Sequence, residues 1–354
     1  MGNTVTIRRQ SNFELLRILA MFLIVLHHYC VNSGLSELVN ADLNNNNYHV
    51  NLFLVQFMSI GGKIGVNIFF IISGYFMLHK HMSFYKVWKI VFQVLFYNIV
   101  IFVLLNFFGG YHYCNLQIVE VFFPFIFTMD GDFVGNYLII YILSPVINKG
   151  LKSLDKRDYK LLILVLFVYY ILVGFFTSPG TWNYLINAFY MYVIGAYFMT
   201  YGTDFLTKKH TVIALHLTVL AFWMFEVIFD LFGNIGWLKW SSAFSSNSPI
   251  VYFASILMFI RFAQLKMSYN SLINILASSC FGIYLIHANC PQMRQFLWKD
   301  VFSNVDMYRN PLFIFHMSIK VVSVYLICAF IDMFRYKYIE KPLTHLILLK
   351  RQCI

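Results

Sequence analysis

The sequence predicts an all-α fold: a polytopic membrane helix bundle of about ten transmembrane helices, with both termini cytoplasmic. Three observations carry that expectation. Of 354 residues, 60% are hydrophobic and only 12% charged, and mean hydropathy is +0.69; a soluble domain is about half apolar and a quarter charged. Apolar blocks long enough to cross a hydrocarbon layer of roughly 30 Å recur from end to end. Lys and Arg alternate between crowded and sparse loops, as the positive-inside rule expects.

The spans are read at 13–32, 57–78, 88–108, 133–148, 161–177, 184–200, 211–231, 249–264, 272–288 and 312–333. The first follows "MGNTVTIRRQSN", is a full span long and has no small-residue cleavage site, so it reads as a retained helix. The piece "NLQIVEVFFPFIF" (115–127) is short and carries Glu120 and Pro124, and reads as interfacial or re-entrant. With a cytoplasmic N-terminus, inside segments carry Arg8, Arg9, Lys80, Lys86, Lys89, Lys149, Lys152, Lys156, Arg157 and Lys160. The later ones carry Lys208, Lys209, Arg261, Lys266, Arg335, Lys337, Lys341, Lys350 and Arg351, making nineteen of 26 basic residues. Outside lie Lys63, Lys239, Arg294, Lys299, Arg309 and Lys320. Counting 115–127 as a crossing destroys this asymmetry.

One integral domain, 1–354, fills the chain, without detectable repeats. The "NNNN" patch at 44–47 reads as a solvated tip. The net charge of +11 comes with no nucleic-acid motif and reads as loop charge. "MGNTVT" superficially fits N-myristoylation, which adds little to a chain anchored by many helices. Six cysteines, at positions 30, 114, 280, 290, 328 and 353, form no C-x-x-C pair and no zinc-like cluster with His, so no metal is expected.

The stretch "ELLRILAMFLIVLHHY" (14–29) places charge inside an apolar run. At about 100° and 1.5 Å per residue, Arg17 and His28 lie within roughly 20° of one face and about 16 Å apart along the axis. His27 points about 80° away from Arg17. Glu14, three residues before Arg17, is near enough to pair with it. Arg17 alone fits a snorkelling side chain, and the histidines alone fit an outer headgroup layer. Polar residues ranged along one face of an apolar helix favour a polar path through the bundle.

"LLRILAMFLIVLHH" resembles the opening Arg-x10-His motif of the acyltransferase-3 family of bacterial integral-membrane acyltransferases, the polysaccharide O-acetyltransferase type. "GVNIFFIISGYFML" (65–78), "GNYLIIYILSPVIN" (135–148), "SSCFGIYLIHANCP" (278–291) and "YIEKPL" (338–343) resemble its later blocks, in the family's order. One departure is that Lys86-x-x-Lys89 stands where the family usually has Arg-x-x-Arg, keeping charge but losing arginine's bidentate fork.

The resemblance implies transfer of an acyl group, typically acetyl, from cytoplasmic acyl-CoA to a hydroxyl of a surface or exported polysaccharide or its lipid-linked precursor. The expected setting is the bacterial cytoplasmic membrane. Acyl-CoA enters as co-substrate, with no bound cofactor. Lys86 and Lys89 are candidate donor-binding residues, joined by Ser73 and Tyr75 of "SGYF"; the alternative for the lysines is plain positive-inside anchoring, and for Ser73 and Gly74 small-residue packing. Arg17 is expected to stabilise negative charge on the donor or the oxyanion. His28 is expected to act as general base, or to carry the acyl group itself. His287 is an acceptor-side candidate that orients the acceptor or His28. Glu340 reads as structural, pairing a cytoplasmic lysine, and Glu226 as a candidate for an ion path. Competing readings are a flippase or exporter of lipid-linked sugars, which favours an inverted-repeat symmetry not detectable here, and a glycan polymerase, which usually has a larger outer loop.

Overall fold

A computed structural model describes residues 9–124, 133–177, 184–232 and 240–343, and among them the chain is helical with no strand. The myristoylation-like N-terminus and Cys353 lie outside the described residues. Among the described residues six helices are long and apolar enough to cross a membrane, or seven if the bent pair Ser271–His287 and Pro291–Val301 forms one span. The six are α1 (Ser11–Val31), the run Val50–Met77 made of α3 (Val50–Ser59) and α4 (Gly61–Met77), α5 (Phe84–Phe107), α8 (Lys156–Thr177), α10 (Lys208–Phe232) and α15, whose α-helical part is Phe313–Arg335. Between them lie α2 (Leu35–Asn44), α6 (Asn115–Phe122), α7 (Phe133–Ser153), α9 (Tyr184–Tyr201) and α11 (Pro249–Ala263).

Every predicted span falls on a helix. The one predicted at 272–288 is not a single rod. It is α12 (Ser271–Ser278) and α13 (Cys280–His287), interrupted at Ser279. The chain then turns by 90° into Pro291–Val301, which begins with α14 (Pro291–Gln295). Pro145 interrupts the backbone ladder of α7. The segment 115–122 is only an eight-residue helix, too short to cross.

The α3–α4 run is 72% buried over its apolar window and forms the centre, whereas α10 is only 17% buried and lies at the outside of the bundle. α4 packs between α1 and α9. A Cβ on Gly65 would collide with the Ala20 carbonyl, and Cβ atoms on Gly74 and Gly195 would collide with the Tyr192 and Ile71 carbonyls. Small residues let these backbones touch, which is how helices associate where lipid removes the hydrophobic drive. α9 is rich in tyrosine because it lies inside: Tyr190 and Tyr192 are fully buried, and their hydroxyls bond Tyr252 and Asn148 at 2.9 and 2.8 Å.

Two polar ties hold the ends. Asp332 Oδ1 accepts from Gln93 (3.0 Å), Tyr97 (2.8 Å) and Arg335 Nε (3.0 Å). Arg335 reaches Glu340 at 2.5 Å, and Glu340 also receives Lys89 at 2.6 Å. The expected lysine partner of Glu340 is therefore Lys89. At the opposite end Asp42 of α2 takes His49 at 2.9 Å together with Arg309. Asn47 of the predicted solvated tip also bonds Asp42, at 3.2 Å.

Candidate functional site

α1 places Arg17 and His28 in two separate cavities. Near its N-terminal end Arg17 Nη1 pairs with Glu14 at 2.5 Å, one helical turn away. Glu14 is 5% exposed, and its second oxygen has no partner. The Arg17 guanidinium lies 5.9 Å from the centre of the Phe76 ring, and the Lys80 ammonium 5.6 Å from it. Burial, Lys86 and Arg17 together draw the Lys80 amine below its usual value, so these cations act on one another. A cavity of about 280 Å³ opens here, lined by Arg9, Glu14, Arg17, Ser73, Tyr137 and Cys280 among others.

Toward the C-terminal end of α1, His28 Nδ1 lies 3.0 Å from Nε2 of His287, and His287 Nδ1 lies 2.6 Å from the Ile283 carbonyl. A carbonyl only accepts, so His287 Nδ1 carries the proton. With neutral rings His287 Nε2 then accepts from His28 Nδ1, and the lone pair of His28 is on Nε2. His28 borders a second cavity of about 150 Å³, lined also by His27, Lys63, Asn136, Tyr184 and Arg294. His287 is fully buried and does not line this space; it backs His28.

The predicted residues thus divide. Arg17 and Ser73 share the first cavity, and Ser73 Oγ donates to its own helix at Phe69 (2.8 Å). Tyr75 is in neither; its ring packs on Phe13 (5.1 Å), Phe76 (5.0 Å) and Phe259 (5.5 Å). Lys86 is exposed and lines neither cavity, while Lys89 is held by Glu340. His27, expected to point away, turns its Nδ1 to the Ser59 carbonyl at 2.5 Å and rests against Gly62, yet it borders the His28 cavity. Phe133 lines both cavities, with its ring 5.3 to 6.3 Å from those of Phe69, Phe70, Tyr137 and Tyr284.

Sequence reasoning missed Lys63 and Arg294 as neighbours of His28, and Lys80 as a neighbour of Arg17. Lys63 carried a signal, a charge inside "GGKIGVNIFF". Arg294 reaches the cavity only because the chain bends by 90° after His287. Glu226, fully buried on α10, has neither oxygen hydrogen-bonded and borders neither cavity. Among the described residues no three His, Cys, Asp or Glu side chains are grouped to hold a metal ion.

The arrangement offers a cavity-lining imidazole whose lone pair is not taken by the His287 bond, and a cationic chamber farther along the same helix. A family model described as an acyltransferase domain matches residues 10–347. No curated protein and no solved structure matches the chain. From the family match over nearly its whole length, the chain belongs to the acyltransferase-3 family, and it is a multi-pass membrane acyltransferase.

Proposed function

We propose that the protein transfers an acyl group, acetyl in the leading reading, from cytoplasmic acyl-CoA to a hydroxyl of an exported or cell-surface polysaccharide or its lipid-linked precursor. The observation that carries this reading is the bond from His28 to His287, which leaves the Nε2 lone pair of His28, a residue that lines a cavity, as a proton acceptor. In this mechanism Nε2 takes the proton of the acceptor hydroxyl as its oxygen attacks the thioester carbonyl. The tetrahedral intermediate collapses, the C–S bond breaks, and the imidazolium returns its proton to the departing CoA thiolate. His287 fixes the ring and its tautomer.

Arg17 belongs to the donor in this scheme. Its axial separation from His28, about 16 Å on an ideal helix, separates it from the reacting carbonyl. Arg9 and Arg17, with Lys80 and Lys86 nearby, supply the cationic mouth that the phosphates of CoA require. Ser73 lies along the path of the acyl-bearing arm, whereas the aromatic packing of Tyr75 makes it a wall of the bundle rather than a donor contact.

The setting of the reading is the bacterial cytoplasmic membrane, with ten spans and both termini inside. Cysteine labelling in intact cells tests it: residue 155 should be protected and residue 310 accessible, and labelling of 155 from outside would overturn it. The activity is tested with membranes containing the protein, acceptor glycan, and acyl-CoA labelled in its acyl group. Label should appear on the glycan with the parent protein and not with His28→Ala. Glycan that is moved or polymerised with no label incorporated would favour an exporter or a polymerase instead.

A further inference from the structure

Lys63 and Arg294 stand in the same cavity as His28, from α4 and from the segment after the 90° bend. Each has a neutral partner that fixes it in place. Lys63 Nζ donates to the Tyr184 hydroxyl at 3.3 Å and sits 4.3 Å from the centre of that ring. Arg294 Nη1 donates to the Ala288 carbonyl at 2.7 Å. Among the described residues neither is paired with a carboxylate, and none of the residues lining the cavity is acidic. Three other cations of the bundle are neutralised, Arg17 by Glu14, Lys89 by Glu340 and Arg335 by Asp332 and Glu340. The half-buried Arg261 and Lys320 have no carboxylate among the described residues, but neither shares a cavity with a second cation.

Two fixed positive charges in a cavity within a membrane bundle are costly unless an anion joins them, and a concave site lined by one sign of charge concentrates the opposite sign. We infer that the acceptor carries an anionic group next to the hydroxyl that is acylated, and that Lys63 and Arg294 bind it. This rests on the reading of His28 as the base of acyl transfer. The group is an oxyanion of carboxylate or phosphate type: a uronic acid of the glycan, or the diphosphate of a lipid-linked sugar. Arg294 keeps guanidinium N–H groups for such an anion beyond the one given to Ala288. A transient oxyanion on the reacting carbonyl would carry one charge and appear only in the transition state. A charged acceptor neutralises the cations in the ground state as well, and that difference separates the two roles in kinetics.

The experiment uses the full-length protein in membranes with labelled acetyl-CoA and three acceptors: a polyuronate, the same polymer with its carboxyls reduced to alcohols, and a polyprenyl-diphosphate hexose. The parent should prefer the polyuronate or the diphosphate over the neutral polymer, and the preferred one identifies the source of the anion. Lys63→Gln and Arg294→Gln should each raise the KM for the charged acceptor about tenfold to a hundredfold, the range of a charge-assisted hydrogen bond. The KM for acetyl-CoA should be little changed, and any loss with the neutral polymer should be much smaller than the loss with the charged acceptor. Arg294→Lys, which keeps the charge, should retain much of the charged-acceptor preference and separates charge recognition from loss of the fold. Equal use of the polyuronate and its reduced form by the parent overturns the inference. So does a fall in kcat shared by all acceptors, or a rise confined to the acetyl-CoA requirement. Failure to transfer label to any acceptor would overturn the acyl-transfer reading beneath it, a result distinct from equal transfer.

Discussion

His28 and His287 are joined by a 3.0 Å contact between ring nitrogens 259 positions apart in the chain. Because His287 gives its Nδ1 proton to the Ile283 carbonyl, the pair has a direction, and of the two residues only His28, with its lone pair on Nε2, lines the cavity. His28→Ala should therefore reduce transfer by roughly a hundred- to ten-thousandfold, the range of a general-base step, at equal protein level in the membrane. His287→Phe keeps a ring but removes the acceptor for His28 Nδ1, which frees the tautomer. Its loss should fall mainly on kcat with an altered pH profile, and His287→Gln, which returns an acceptor oxygen, should recover part of it. A His287→Phe enzyme with the parent's kcat and pH profile would reduce His287 to a packing residue.

The Arg17–Glu14 pair allows structure and function to be separated. Glu14 is buried and one oxygen is already without a partner, so Arg17→Ala leaves a carboxylate in the bundle without its ion-pair partner. Breaking a buried pair from one side costs about 3–5 kcal/mol. Thermal unfolding in detergent should show Arg17→Ala strongly destabilised and Glu14→Gln with Arg17→Ala largely restored. Neither should recover activity, if Arg17 holds the donor. A double variant that is both stable and active would limit Arg17 to neutralising Glu14.

How much of this was legible follows from which contacts are local. The helices, the Glu14–Arg17 pair and the separation of Arg17 from His28 follow from helix periodicity, and all were readable. The meeting of His28 with His287 was half readable: both stand toward the ends of their predicted helices, on the side assigned as outer, but their contact depends on how two helices pack. Lys63 and Arg294 were readable only as outer-side charges, because loop counting assigns a side of the membrane, not a direction. Arg294 depended on a 90° bend that no periodicity announces. His27 is absent from the wall of the Arg17 cavity, as its angle predicts, and lines that of His28. An angle of about 80° from Arg17 still permits a side chain to border a cavity wider than one face.

Lys86 and Lys89 should no longer behave alike. Lys89 holds Glu340, which also takes Arg335, so Lys89→Ala disturbs the tie between α5 and the end of α15. Lys86 is exposed and lies near Lys80 at the cationic mouth. Lys86→Ala should raise the acyl-CoA requirement several-fold with little effect on thermal stability. Lys89→Ala should lower stability, by less than a fully buried pair because its ammonium is partly exposed. Equal donor effects in both variants, with no change in stability, would restore the pair as a common phosphate clamp.

Asp42 gives a pH dependence with a defined sign. Burial works to raise its carboxyl, but His49 and Arg309 outweigh this and hold it below the usual value. A carboxyl lowered in the folded state contributes stability above its unfolded value, about pH 4. That contribution is lost as pH falls through the lower folded value. Asp42→Asn should therefore lower the unfolding temperature at pH 7. The gap between parent and variant should narrow below about pH 4 as the parent's carboxyl is protonated. A gap that stays constant from pH 7 to pH 3 would show that shape, rather than charge, holds α2 to the 308–310 turn.

Phe133 is the residue shared by the two cavities, and the acyl-transfer reading requires the thioester arm to pass it. Its ring stands among Phe69, Phe70, Tyr137 and Tyr284, so on that reading the arm threads closely packed aromatic rings. A narrow passage admits a small acyl group and excludes water, which protects the thioester from hydrolysis. Phe133→Leu should widen it, improving use of propionyl- and butyryl-CoA relative to acetyl-CoA. One methylene in an apolar site is worth roughly a tenfold change or more in discrimination. The same variant should hydrolyse acyl-CoA faster when no acceptor is present. Phe133→Trp fills the passage and should slow transfer of every donor while leaving the cationic mouth able to bind CoA. If both variants keep the parent's chain-length profile and hydrolysis rate, the arm does not run between the cavities at Phe133. Arg17 and His28 would then have to serve one reaction by another route.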